Sequence, residues 1–284
     1  NNPNVPLFMQ SQVAAGSAIA IGDNAKSLSR GSVVIGGNAT ATIDGATSAV
    51  QDGINLGAQV VIGSNAYANG NNNVAIGNKA YTTGNASLAI GREAAATGNY
   101  SLSLGTVSSA TGVKSTALGH SSVASGSGSV AIGSSEGTTR DWSDTSTTAS
   151  GLNAVAIGTS ADAIGSDTLA LGSSAQANES KALAIGSNSI ANGVSTVSLG
   201  DASNASNNDS IAIGRNANAA TGTGDTNAMA IGADSTAYAY SLALGTGAFA
   251  DQTSNTQDGG AIAIGNNAKV NSNLGGVAIG NSSN

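Results

Sequence analysis

A four-residue signature, apolar–small–Ile/Leu–Gly, returns seventeen times along this chain. Its glycine stands at 22, 36, 63, 77, 91, 105, 119, 133, 158, 172, 186, 200, 214, 232, 245, 265 and 280. Ten of the sixteen intervals are fourteen residues, which makes this a true period and not a compositional bias. A short fixed period means a solenoid, because one repeat cannot bury its own apolar surface and must stack on its neighbours. Composition leaves little else open. The 284 residues include 40 Gly and only 2 Pro, with 3% aromatic and 9% charged residues, against about 25% charged in ordinary domains. So few large side chains either leave a chain disordered or require regular stacking, and the periodicity decides for stacking.

Reading down the columns predicts an all-β coil of two short strands, with successive coils pairing as parallel strands. The residue before each glycine is Ile or Leu, and the residue three before it is apolar (Val74, Leu88, Leu102, Ile211), with Thr116 the polar exception. These positions share a parity and point to one side of a strand. They are expected to fill a thin core. After the glycine, positions three and five on are small, as at Ala66, Ala68, Ala94 and Ala96. They form a second strand closing on the first. Position four on varies freely (Tyr67, Tyr81, Gln176, Phe249, Lys269) and is read as solvent-facing. The glycine marks a sharp turn with positive φ.

The middle column of the first strand is small almost throughout: Ala75, Ala89, Ser103, Ala131, Ala156, Ala184. A column pointing away from the core yet kept small suggests packing against a copy of the same surface, so a homo-oligomer is expected with these residues at its interface. A generally Ala-rich composition is the alternative.

The runs NVAIGNKAYTTGN (73–85), SVAIGSS (129–135) and AVAIGTSADAIGS (154–166) resemble the head repeats of YadA-like trimeric autotransporter adhesins, over about residues 17–284. The resemblance implies a left-handed parallel β-roll and a homotrimer of three chains side by side. It also implies a place on the bacterial cell surface, anchored to the outer membrane through a stalk and a barrel. The implied function is attachment to extracellular-matrix proteins, host cells or abiotic surfaces, with autoagglutination, and no direct membrane contact by this segment. A spacer without a binding site is the alternative. The chain opens at Asn1 without a Met and stops in mid-pattern at Asn284, so it reads as a piece of something longer.

Residues 1–16 precede the first coil, and Leu7, Phe8 and Met9 are expected either to cap the stack or to lie in a tail. Insertions fall near 37–59, 134–154, 220–226 and 251–260. The second carries Arg140, Asp141 and the only Trp, Trp142. An exposed Trp beside Arg is a frequent binding anchor; packing onto a neighbouring chain is the other reading. Tyr67 and Tyr81 occupy one column in adjacent coils and are expected to stack, as a sticky patch or simply as a stabilising pair. Phe249 lies in the same column and joins the candidate ligand-binding set.

Other chemistries find little support. The net charge of −7 lacks the basic patches of nucleic-acid binding, and without Cys there is neither a disulfide framework nor a thiolate metal site. The one histidine, His120, follows a turn glycine and is expected to be exposed, with no fixed acid partner; catalysis, a cofactor and a metal are therefore not expected. A hexapeptide acyltransferase would repeat every eighteen residues, and calcium-binding repeats need regular Asp. An ice-binding solenoid needs a flat Thr ladder, which the variable column lacks.

Overall fold

The computed structural model describes residues 11–13, 18–42, 57–135, 146–219, 227–252, 260–272 and 275–284. The chain divides into two compact units, Asn1–Ser146 and Thr147–Asn284. Both are parallel β-solenoids, and no helix occurs among the described residues. The first unit stacks eight three-residue first strands, from Ile19–Ile21 to Val130–Ile132, and the second stacks nine, from Val155–Ile157 to Val277–Ile279. Shorter second strands, such as Tyr81–Thr82 and Ala95–Ala96, form a separate ladder.

Register follows the repeat. Val74, Ala75 and Ile76 pair in parallel with Leu88, Ala89 and Ile90. The insertions near 37–59 and 251–260 do not disturb it, since Val33 pairs directly with Val60 and Leu242 with Ile262. A solenoid tolerates this because the extra residues leave at a turn while both ladders continue.

Among the described residues, two β-turns close each coil that carries no insertion. Gly77 has φ 137°, and a Cβ there would lie 2.3 Å from the carbonyl oxygen of Gly91 in the next coil. No side chain fits in that gap, which explains the unbroken glycine column. Two residues on, Lys79 has φ 57°, and the Ala80 N–H donates to the Gly77 carbonyl at 3.2 Å. Positive φ at the third turn residue is the type II pattern. The second turn repeats it, with Ala86 at φ 52° and the bulky Tyr100 at φ 61°.

The facing of the first strand corrects the expectation. The middle column points into the coil: Ala75, Ala89, Ser103, Ala131, Ala156 and Ala184 are fully buried within the single chain. They are not at a surface where another chain could reach them. Opposite them lie Ala66, Ala68, Ala80, Ala94 and Ala96, also buried. The core is therefore alanine and serine, with Val34 and Val61 the largest apolar side chains fully inside. The Ile, Leu and Val columns expected to fill it face outward instead, and Leu104 keeps 38% of its surface exposed and Leu118 37%. Parity had grouped these columns correctly. The tight turns hold the two sheets too close for a large aliphatic side chain, and volume decides which group goes inside.

Many buried hydroxyls and amides are satisfied locally, while Thr82 Oγ1, Ser101 Oγ and Gln59 Oε1 find no partner. Ser115 Oγ donates to the Gly112 carbonyl at 2.7 Å and Thr196 Oγ1 to that of Gly193 at 2.7 Å. Buried Asn73 donates to the Asn69 carbonyl at 2.8 Å and accepts from the Ser87 N–H at 3.0 Å. Each bond removes the cost of an unpaired polar group in a dry interior.

Candidate functional site

Each unit offers two sheet faces. The first-strand face carries paired columns of aliphatic side chains, such as Leu88 and Ile90 beside Leu102 and Leu104, half-buried or exposed coil after coil. Monomeric soluble proteins rarely leave contiguous apolar surface on this scale uncovered. The second-strand face carries the variable column, which points outward as expected.

The aromatic candidates lie on that second face. The rings of Tyr67 and Tyr81 stack with centroids 5.3 Å apart and 15° between planes, which follows from their direct pairing in neighbouring coils. Phe249, in the second unit, meets Tyr238 edge-on at 5.9 Å, and Lys269 Nζ lies 5.3 Å from its ring centroid. Phe249 and Lys269 are register partners, so the cation rests over the ring by stacking alone. Beside them Asp251 is only 7% exposed. Burial pushes its carboxyl above the usual carboxylate range, and the nearby Lys269 charge opposes that only in part. Burial likewise raises Asp162, against a hydrogen bond with Thr148.

The structure does not bring the other candidates into this picture. Arg140, Asp141 and Trp142 lie outside the described residues, as do Leu7, Phe8 and Met9. His120 is half-buried rather than exposed, with Nδ1 3.3 Å from the hydroxyls of Ser121 and Ser135.

One row of surface residues escaped the sequence reading. Six residues past the glycine, Thr83, Thr97, Thr111 and Ser125 succeed one another in four consecutive coils and point outward beside the variable column. Their fourteen-residue spacing was the available signal. The neighbouring column, broken by Tyr67, Tyr81 and Val123, keeps this row from becoming a two-row ladder.

A chain of stacked two-strand coils, paired in parallel from coil to coil, with an alanine core and an aliphatic outer face, defines a parallel β-solenoid. The model of the YadA head domain repeat matches residues 14–39, 60–80, 83–108, 110–135, 145–161, 163–189 and 191–217, more than half of the chain. The chain belongs to that family, which implies an adhesin-type function at a cell surface. The same coils continue beyond residue 217, through Met229–Ile231 to Val277–Ile279. No curated protein matches the chain in sequence.

Proposed function

We propose that the chain is the head of a trimeric autotransporter adhesin, in which three copies pack their aliphatic first-strand faces together as left-handed rolls. The observation that carries this is the inverted facing of the coil. Alanine fills each chain's own interior, so the large Ile, Leu and Val side chains remain to be buried by something else. A second and third copy present the same columns at the same spacing and cover them without leaving polar groups unpaired.

The assembled head then displays the second-strand faces and the insertions. It attaches to matrix proteins, host cells or abiotic surfaces through many weak contacts that sum to avidity, and the same contacts support autoagglutination. It acts by binding and not by catalysis; the setting of His120 among hydroxyls supports this. Anchoring to the outer membrane through a stalk and barrel completes the reading. Light scattering tests the assembly. The expected mass is three times the 27.0 kDa of the chain, and a folded monomer would overturn the proposal. Retention of the protein on collagen-, fibronectin- or laminin-coated surfaces tests the adhesive part.

A further inference from the structure

In the first unit, between Thr40 and Ser125, the outward positions four and six past each glycine carry no charged side chain. The equivalent positions of the second unit hold Asp162, Asp251 and Lys269. These two uncharged columns also have relief. One face of the Tyr81 ring is covered by Tyr67. On its other side the register partner is Ala95, whose methyl is too short to cover a ring, and next in that column is Ser109. Tyr81 remains 40% exposed, whereas Ser109 is 7% exposed and lies at the bottom of the step. The result is a shelf with an aromatic wall and a small recessed floor, running beside the hydroxyls of Thr83, Thr97 and Thr111.

We propose that this shelf binds an uncharged glycan. One sugar ring stacks its C–H face on the open face of Tyr81, above Ala95, and its hydroxyls exchange hydrogen bonds with the threonine row. Tyr offers an apolar face with a polar edge, which matches a pyranose. Convergent hydroxyls fix orientation without the desolvation cost of charge. A sulfated or carboxylated glycan would need cations on the shelf, and those two columns supply none. The threonines recur at the strand spacing of about 4.8 Å, so a polymer whose hydroxyls repeat along its own axis meets several in turn. The inference rests on the adhesin reading, for which it names a class of ligand.

Native gel electrophoresis through embedded dextran, galactomannan, glucomannan or dextran sulfate tests it. At least one neutral polysaccharide is expected to retard the protein, equally at low salt and at about 0.5 M salt, where exposed charge contacts are screened. Tyr81→Ala and Ala95→Gln are each expected to weaken retardation by about tenfold or more, the equivalent of one lost stacking contact. Ala95→Gln guards against misfolding, because Gln176 occupies the same column in the second unit. Retardation by dextran sulfate alone, by no neutral polymer, or undiminished in Ala95→Gln overturns the proposal. A protein that adheres to matrix-coated surfaces yet ignores every neutral polymer overturns the shelf alone and leaves the adhesin reading standing.

Discussion

Ser103 and Ser108 face each other across the interior of one coil with their hydroxyl oxygens 2.7 Å apart. Ser198 and Ser203 do the same in the second unit, again at 2.7 Å. Ser103 and Ser198 are the only serines in the middle column of the first strand, and each is met by a serine three past the following glycine. The reverse does not hold. Ser122 lies opposite Ala117 and is satisfied by the Gly119 carbonyl at 3.0 Å.

That asymmetry predicts an unequal pair of mutants. Ser103→Ala recreates the Ala117/Ser122 arrangement and should cost little. Ser108→Ala strands the Ser103 hydroxyl in a dry core and should cost about 1–2 kcal/mol. Adding Ser103→Ala to that variant should restore most of the loss. Chemical denaturation of the four proteins of this cycle measures the coupling, and equal costs for the two single mutants would contradict the account.

Two turn positions are expected to respond in opposite directions. Gly77→Ala forces a Cβ against the Gly91 carbonyl and should destabilise by more than about 2 kcal/mol. Ala86 is exposed and held at φ 52°, so Ala86→Gly should stabilise by about 0.5–1 kcal/mol, the relief of the left-handed penalty less the added freedom of the unfolded chain. Thermal unfolding of both variants checks the signs.

The aliphatic face should control assembly without controlling the fold. Leu104→Glu with Leu118→Glu places charges on the first-strand surface of adjacent coils. The mass should fall from that of the proposed trimer to that of a monomer by light scattering, with the β-sheet circular dichroism kept. Gln176→Glu, on the opposite sheet, should leave the mass unchanged.

Asp251 should make the fold respond to pH in a defined direction. Its folded-state pKa is raised by burial, so the folded chain binds the proton more tightly than the unfolded chain. The penalty is therefore present at neutral pH and fades as pH falls through the raised value toward the ordinary carboxylate pKa of about 4. Asp251→Asn is expected to raise the melting temperature at pH 7, with the gain shrinking as the pH approaches that range. A gain that grows on acidification would show the sign to be wrong.

The sequence by itself determined the coil. Period, parallel register, the glycine turn and the two-strand alternation all follow from columns repeated seventeen times, because each column answers to one backbone constraint. Parity also showed that Val74 and Ile76 share a side and that Ala75 takes the other. Only the tertiary structure decided which side was inside. That choice depends on the gap between the sheets, which the two tight turns set, and an interior lined by Ala75, Ala80 and Ala89 has no room for leucine. The threonine row was overlooked for a related reason. Thr97 lies just past the two-residue strand Ala95–Ala96, where pattern alone reads turn and only the stacking of coils makes a surface.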